Sequence, residues 1–437
     1  MEESFYHEFS PLSSFDQYDR IHRDSQKLTP GESQKWISPE GIEIPPIFCP
    51  SEEKKTSGGP SRKWRIAQPI SYNDNHAEID RWIALAIKHE ADTLFFDLSS
   101  TSVDIHWLVN RLKKEKAHAV FVRNQGFTEE ETCFIDLSNT YLCADILGHY
   151  IGAPSQRESL LSKDLHLFTP SKTNSNKTLY VDASIYANAG ANAVQQISFT
   201  LLHLNEYLNG VSVQGNVPIN IFIKVAQGSN YFLEIAKLKA FRQLMELIIA
   251  EYSFSTSVQI FAVPQQRNKT TTDFNVNMLR STTEMMSAIL GGADTVMNHR
   301  YDKRFNLPND FGHRIALNQL QLLKHESYFN YLPNVTQGSY YLDYLIDELK
   351  EKAWRSFLEH EQAGGWLNEV QRNNLQQKIK HAANEEQERL KIGERVLVGS
   401  TAYQDPMAPS ASPLENTSER NSQYPEAVTP LTICYLH

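Results

Sequence analysis

Short runs of apolar and β-branched residues alternate along this chain with longer segments in which apolar residues recur at helical spacing. Eight of the short runs predict β-strands, at residues 64–70, 93–98, 119–123, 133–137, 179–186, 219–226, 258–263 and 294–297. Runs that are apolar throughout and separated by helices are typical of a parallel sheet covered on its outer face. Eight of them predict an α/β fold, a (β/α)8 TIM barrel, and a doubly wound open sheet is the alternative.

Three of the longer segments place apolar side chains on one helix face, as expected for helices that coat a barrel. The stripes are Val194, Ile197, Leu201, Leu204 and Leu208; Ile235, Leu238, Phe241, Met245 and Ile248; and Leu342, Leu345, Leu349, Ala353 and Phe357. The third stripe follows the eighth strand and ends at Gly364 and Gly365, which are a helix-stop signal. A further charged helix is predicted over 367–390, so helices continue after the barrel.

The two ends of the chain differ in composition from this body. Residues 1–50 carry Phe5, Phe9, Phe15, Tyr18 and Trp36 among polar residues, which predicts an extended arm that buries its aromatics on a partner or on the same chain. Residues 51–63 predict an exposed linker. The barrel with its C-terminal helices is expected over 64–399. Residues 400–437, rich in Pro, Ser and Asn, are expected to be disordered.

Composition and charge narrow the classes of function. Hydrophobic residues make up 41% of the chain and charged residues 22%, the balance of a globular protein. The net charge of −10 argues against nucleic acid as a partner, because backbone phosphates are bound by clustered Lys and Arg. The 4 cysteines form no C-x-x-C pair, the first residues lack the basic-then-apolar order of a signal peptide, and no apolar run is long enough to span a bilayer. We therefore expect a cytoplasmic protein without a membrane contact.

Generic cofactor motifs are missing. The chain has 15 histidines, but His325 and His360, each followed by Glu on a predicted helix, have no second histidine at zinc-ligand spacing. Two Asp-x-His pairs, at 104–106 and 164–166, lack the glycine that completes the cobalt-ligating Asp-x-His-x-x-Gly loop of cobalamin domains. Phosphate-binding glycine loops and the G-x-S-x-G hydrolase turn do not occur. These motifs therefore predict no metal or nucleotide site.

Longer motifs are more informative. Residues 181–191 read VDASIYANAGA, and the small residues Ala189, Gly190 and Ala191 predict a close turn from a strand into a helix. One strand later, residues 227–238 read QGSNYFLEIAKL. The segments NKT at 268–270, NMLRSTTE at 277–284 and GGAD at 291–294 then follow in order.

In order and spacing these motifs resemble the strand-to-helix junctions of the cobalamin-dependent methylmalonyl-CoA mutases. The segments GSYY at 338–341, AGG at 363–365 and VG at 398–399 are similar to the close of that family's barrel region. Residues 36–48 are similar to its N-terminal W-x-x-x-x-G-I motif. The resemblance covers roughly residues 5–405.

The resemblance implies a barrel whose axis threads the pantetheine arm of an acyl-CoA. It also implies that a separate flavodoxin-like domain supplies adenosylcobalamin at the carboxyl ends of the strands. Family members interconvert methylmalonyl-CoA and succinyl-CoA by a radical mechanism, in which the protein positions and shields the cofactor that carries the chemistry.

Four positions depart from the catalytic pattern that the resemblance implies. Ile185 stands where catalytic chains carry a histidine that polarises the migrating thioester carbonyl, and isoleucine has no hydrogen-bond donor. Asn220 and Phe222 stand where an arginine and a serine hold coenzyme A. Asp294 replaces a glutamine, and residues 64–75 do not resemble the family's tyrosine-containing Y-P-T-M-Y segment. We therefore expect no catalytic residue on this chain.

Cobalamin is also not expected on this chain. Its domain needs about 100 residues or more, and 34 residues follow Tyr403. The resemblance then implies the small, non-catalytic subunit of a heterodimer, without a flavodoxin-like domain, whose large catalytic subunit binds adenosylcobalamin.

Two other interpretations remain open. The chain could be a catalytically active acyl-CoA mutase barrel, for example of the isobutyryl-CoA type, that uses cobalamin from a separate subunit. It could instead be a free-standing sensor that binds an acyl-CoA. The sequence also leaves open whether side chains such as Phe222 fill the interior of the barrel.

Overall fold

The computed structural model describes residues 36–45, 48, 63–71, 75–98, 104–123, 127, 131, 140–152, 178–212, 219–252, 256–331 and 335–412. Their strands are β1 (Trp36–Ile37), β2 (Glu43–Ile44), β3 (Arg65–Ser71), β4 (Thr93–Asp97), β5 (His118–Val122), β6 (Thr140–Cys143), β7 (Thr178–Asp182), β8 (Ile219–Gln227), β9 (Thr256–Pro264) and β10 (Thr295–Met297).

Helices follow most of these strands. They are α1 (His76–Lys88), α2 (Ile105–Leu112), α3 (Ile146–Gly152), α4 (Ser184–Ala189), α5 (Ala193–Ser212), α6 (Tyr231–Ala250), α7 (Val276–Leu290), α8 (Asp310–Gln321), α9 (Tyr340–Gln362), α10 (Gly365–Gln371) and α11 (Asn374–Lys391). A π-helical turn, Leu322–Glu326, and a 3-10 turn, Phe329–Tyr331, lie between α8 and α9.

Strands β3 to β10 form one parallel sheet in the order β6-β5-β4-β3-β10-β9-β8-β7. Neighbours in space are neighbours in sequence, except that the first strand of the series pairs with the last, which is the order of a (β/α)8 barrel. The predicted TIM barrel is therefore confirmed, and the doubly wound alternative is wrong. Strands β6 and β7 lie side by side at the ends of this order, but the described residues form no backbone ladder between them.

The barrel has an outer and an inner core, since successive side chains of a strand point to opposite faces. Outward residues such as Ile66, Leu94 and Ile221 pack under the helices in the main apolar cluster. Inward residues form a second, smaller cluster inside the barrel. The residues of the three predicted helix stripes are buried, with Val194 the one partly buried member, and most of them belong to the main apolar cluster.

Three predicted elements differ from the structure. The fourth strand was predicted at 133–137, which lies outside the described residues, and the strand that pairs with β5 is Thr140–Cys143. The fifth strand was predicted to run to residue 186, but β7 ends at Asp182 and α4 begins at Ser184. The helix predicted over 367–390 is two helices, α10 and α11, separated at Asn373, whose φ of 60° lies in the left-handed region.

The described part of the N-terminal arm packs on its own barrel. Ile42 is fully buried, Phe48 contacts Tyr341 and Tyr344, and the Tyr344 hydroxyl donates to the Glu43 carbonyl at 2.7 Å. The remaining aromatics predicted in the arm, and residues 51–62 of the predicted linker, lie outside the described residues.

The C-terminal segment is described to residue 412, which includes the first part of the predicted disordered tail. There the Ala411 N–H donates to the Thr271 carbonyl at 2.9 Å, and Ser410 forms an isolated bridge with Thr272. This part of the tail is therefore docked on the loop after β9. Nowhere in the described chain is there a helix with the length and apolar character needed to cross a bilayer.

Candidate functional site in the barrel interior

Aromatic side chains occupy the middle of the barrel interior. They are Phe95 from β4, Tyr141 from β6, Phe222 from β8 and Phe261 from β9. The ring centroids lie 4.7 Å apart for Tyr141 and Phe222, 5.3 Å for Phe222 and Phe261, and 6.4 Å for Phe95 and Phe261. Phe222 is 1% exposed. Side chains therefore fill the interior at the level of Phe222, which the sequence left open.

Towards the carboxyl ends of the strands the inward positions become charged. The Lys224 ammonium donates to the Asp182 carboxylate at 2.7 Å, across the β7–β8 pair. Asp182 also accepts the Ser184 N–H at 3.1 Å, which starts helix α4. Burial alone would lower the pKa of Lys224, but Asp182 and then Asp97 raise it above its usual value. Lys224 and Asp182 therefore form a stable ion pair at the end of the barrel where the strands have their carboxyl ends, which we call the barrel mouth.

Tyr180 lies below this ion pair, two residues before Asp182 on the same face of β7. Its side chain is buried at 2% exposure, and its hydroxyl has no hydrogen-bond partner within the described part of the chain. Burial, and then the carboxylate of Asp182, raise the pKa of this hydroxyl well above its usual value, so it stays protonated. Burial likewise raises the pKa of the Cys143 thiol, which is therefore a poor nucleophile.

The loop after β10 brings His299 and Lys303 to the mouth. Burial, and then the positive charges of Lys303 and Lys224, hold the pKa of His299 well below its usual value, so the ring is neutral. Crowding by protein atoms and the charge of Lys224 lower the pKa of Lys303 to about 8, although solvent reaches its side chain. Arg300, in the same loop, donates to Asp302 at 2.7 Å.

The four positions singled out in the sequence are spread over the barrel. Ile185 is half-buried on α4 and packs against the outer core, whereas Phe222 is in the aromatic layer. Asn220, near the start of β8, accepts from the Ser257 hydroxyl at 2.5 Å. Asp294, just before β10, accepts from Arg242 at 2.7 Å. Asn220 and Asp294 thus lie at the amino ends of the strands, opposite the mouth.

The residue after Ile185 was expected to point to the other side of a continuing strand, and that expectation is wrong. Tyr186 lies on helix α4 and is fully buried. Its hydroxyl accepts from the Trp366 indole N–H at 2.8 Å and lies 3.2 Å from His203 Nδ1. Asp182 causes the change, because its side chain turns the backbone into a helix directly after β7.

Sequence reasoning missed a buried network at the seam between β6 and β7. The Asp145 carboxylate accepts the N–H groups of Asp182 at 2.6 Å and Gly148 at 2.7 Å, and the Tyr207 hydroxyl at 2.8 Å. His203 Nε2 lies 3.0 Å from the same carboxylate. Burial alone would raise the pKa of Asp145, but His203 and these hydrogen bonds hold it below its usual value. A polar histidine within the apolar stripe of α5 was the one available signal.

The sequence motifs that carry the family resemblance hold loops and helices around the barrel mouth. Lys269 of the NKT segment donates to both carboxylate oxygens of Glu284, at 2.9 and 2.7 Å. Gly190 has a φ of 105°, and a Cβ there would lie 2.5 Å from the Cβ of Ala383 on α11. A Cβ at Gly228 would lie 2.8 Å from the Gln265 side chain. These residues are explained by packing and hydrogen bonding, without a ligand.

Comparison with known proteins identifies the family. The family model described as methylmalonyl-CoA mutase matches residues 83–428. The chain belongs to the methylmalonyl-CoA mutase family. This is a family of isomerases that in general depend on cobalamin.

Individual relatives within the mutase family include small subunits. The methylmalonyl-CoA mutase small subunit of Porphyromonas gingivalis is 25% identical over 92% of this chain and 71% of its own length. The small subunit of Streptomyces virginiae is 28% identical over 72% of this chain and 53% of its length. The 2-hydroxyisobutanoyl-CoA mutase large subunit of Aquincola tertiaricarbonis is 25% identical over 76% of this chain and 62% of its length.

The chain spans less than half the length of several other mutases that it matches. It covers 37% of the Rhizobium meliloti methylmalonyl-CoA mutase, at 31% identity, and 44% of the Escherichia coli mutase, at 26% identity.

The described residues do not fit a cobalamin-ligating loop of the mutase family. Asp104 is the N-cap of α2 and accepts the Trp107 N–H at 2.9 Å. His106 lies on that helix, and the position of the required glycine is Val109, which is fully buried. The second pair, at 164–166, lies outside the described residues. No group of side chains suited to a metal ion occurs within the described ranges.

Proposed function

We propose that this chain is the non-catalytic small subunit of a heterodimeric methylmalonyl-CoA mutase in the cytoplasm. Its partner is a large subunit that binds adenosylcobalamin and interconverts (R)-methylmalonyl-CoA and succinyl-CoA. The aromatic layer around Phe222 carries this proposal, since a pantetheine arm along the barrel axis would need the space that these rings fill.

The position of Ile185 also supports the proposal. The family resemblance places the carbonyl-polarising histidine of catalytic chains here, and a half-buried isoleucine offers no donor to a developing negative charge. The names of the Porphyromonas and Streptomyces relatives point to the same subunit. The roles of Asn220, Phe222 and Asp294 as replaced ligand positions belong to this proposal as well.

The N-terminal arm is proposed to wrap the large subunit. Residues 36–45 already pack on this chain's own barrel through the buried Ile42, whereas Trp36 and Ile37 on β1 are 51% and 63% exposed. Exposed apolar side chains at the start of a docked hairpin suit a segment that continues onto a second protein.

Co-expression tests the partnership. The chain is produced together with a catalytic mutase large subunit from the same genome, and the mixture is studied by size-exclusion chromatography with light scattering. We expect a one-to-one complex, and a weaker complex when residues 1–35 are deleted. Two separate monomer peaks with the full-length chain would contradict the proposal.

A second candidate is a catalytically active barrel that uses cobalamin from a separate protein. The match to the 2-hydroxyisobutanoyl-CoA mutase large subunit favours it. The test is turnover of isobutyryl-CoA, 2-hydroxyisobutyryl-CoA or methylmalonyl-CoA by this chain with adenosylcobalamin and a cobalamin-binding subunit. Turnover would replace the first proposal, and binding of these acyl-CoA esters to the isolated chain without turnover would favour a sensor.

A further inference from the structure

The loops that follow β9 and β10 carry large apolar side chains on the surface, Phe274, Tyr301, Leu307 and Phe311, which we call the apolar face. The ring centroid of Tyr301 lies 6.1 Å from that of Phe274 and 6.2 Å from that of Phe311, so these rings are continuous. Leu307 is 74% exposed and Phe311 is 52% exposed. Grouped apolar side chains with this much exposure are typical of a surface that another segment or protein covers.

The C-terminal segment is anchored beside the apolar face. Ser410 forms an antiparallel bridge with Thr272, and the Ala411 N–H donates to the Thr271 carbonyl at 2.9 Å. Thr272 is two residues before Phe274, so the Cα atoms of Ser410 and Phe274 lie within about 13 Å of each other. The tail that follows this anchor therefore starts next to the apolar face.

The residues that lead to the anchor also lie against the loop after β9 and the helix that follows it. Arg280 on α7 donates to the Val398 carbonyl at 2.6 Å. A Cβ at Gly399 would lie 2.5 Å from the Asp273 carboxylate, which shows how closely the backbone passes this loop. The C-terminal segment is thus held to the barrel surface both before and at the anchor.

The tail beyond the described residues contains one stretch of sequence suited to the apolar face. Residues 413–427 are mostly polar, whereas residues 428–436 read VTPLTICYL. Leu431, Ile433 and Tyr435 stand at every second position of that stretch. Such alternation is typical of an extended segment with one apolar side. The polar connection can span about 50 Å when extended, which is more than the distance to the face requires.

We propose that residues 428–436 dock on the apolar face and cover it. The alternating apolar side chains then lie against Leu307 and Phe311, and residues 413–427 form the connection from the anchor. Burial of apolar area stabilises the contact, and the covalent connection keeps the segment at a high effective concentration. The family match ends at residue 428, so the family resemblance does not account for this segment. The docking does not depend on the subunit role proposed above.

Photo-cross-linking of the full-length chain tests the docking. Phe311 is replaced by p-benzoylphenylalanine, the chain is irradiated at low concentration, and cross-linked peptides are identified by mass spectrometry. We expect an intramolecular cross-link to residues 428–436. The matched control carries the same photoreactive residue at Tyr331, which is 71% exposed and lies beyond the far end of α8, and should give no such cross-link.

The outcomes of this experiment separate the possible occupants of the apolar face. A cross-link that forms only between two copies of the chain, or only with an added mutase large subunit, would overturn the proposal. The same tail cross-link from both labelled positions, or no cross-link from the apolar face, would overturn it as well.

Substitutions in the tail give a second test. We expect Leu431→Ser, Ile433→Ser and Tyr435→Ser together to lower the yield of the cross-link from the apolar face by about tenfold, because they remove apolar area that docking buries. The matched control, Leu414→Ser with Tyr424→Ser, changes large side chains of the connection and should leave the yield unchanged. Undiminished yield in the triple variant, or equal losses in the two variants, would contradict docking through residues 428–436.

Discussion

At the scale of single residues, the buried Asp145 carboxylate helps to close the barrel between β6 and β7. Strands β6 and β7 share no backbone ladder in the described residues, and the Asp145 carboxylate replaces it by accepting the Asp182 N–H. A buried carboxylate is tolerated there because several donors and His203 surround it.

Replacing Asp145 with asparagine tests this closure. The amide keeps the shape but loses the charge opposite His203, and it brings donors where the site offers donors. We expect the free energy of unfolding to fall by about 3 kcal/mol, as for one partner removed from a buried pair. Urea denaturation measures it. The control Glu351→Gln removes an exposed ion pair with Arg355 and should lower the free energy of unfolding by less than about 1 kcal/mol. Equal losses in the two variants would contradict a role for Asp145 in closing the barrel.

The same carboxylate predicts a dependence of stability on pH. The folded pKa of Asp145 is lowered, so the unfolded chain takes up its proton more readily than the folded chain. Its contribution is complete above the unfolded pKa of about 4 and is lost as pH falls through the lower folded pKa. Unfolding free energies measured below pH 5 should therefore fall less steeply for Asp145→Asn than for the wild-type chain. Parallel slopes would contradict this assignment.

At the scale of elements, hydrophobic periodicity placed seven of the barrel strands close to their observed positions, because a buried parallel strand is apolar throughout. Hydrophobic periodicity gave the wrong end for the fifth strand, where one side chain decides the local structure. Asp182 turns the chain into α4 through its bond to the Ser184 N–H, and an apolar run does not reveal such a bond. The fourth strand was misplaced because Tyr141 faces the interior within a less apolar segment than 133–137.

The turn between α4 and α5 yields a prediction for Gly190. A Cβ there would lie 2.5 Å from Ala383, and the φ of 105° is unfavourable for alanine. The matched control is Gly393, whose φ is 79° but whose Cβ would meet nothing within 4 Å. We expect Gly393→Ala to cost about 1–2 kcal/mol for its backbone alone, and Gly190→Ala about 1–3 kcal/mol more for the overlap with α11. Chemical denaturation measures the free energy of unfolding of both variants. Equal losses would show that α11 moves away from the new Cβ without cost, which would contradict the prediction.

At the scale of the whole molecule, strand order could be predicted because sequential parallel strands joined by helices have few ways to close. The filling of the interior could not be predicted, because the inward and outward residues of these strands are both apolar and differ only in the face of the sheet to which they point. The same holds for Asp145, His203 and Tyr207, which come from the start of α3 and from α5 and meet only in the folded barrel.

The central claim is that this barrel accompanies a catalytic subunit without binding substrate along its own axis. The most direct measurement is the number of acyl-CoA sites in the purified heterodimer, from calorimetric titration with methylmalonyl-CoA. Because the aromatic layer around Phe222 fills this chain's interior, we expect one site for each one-to-one complex. Two equivalent sites for each complex would contradict the account.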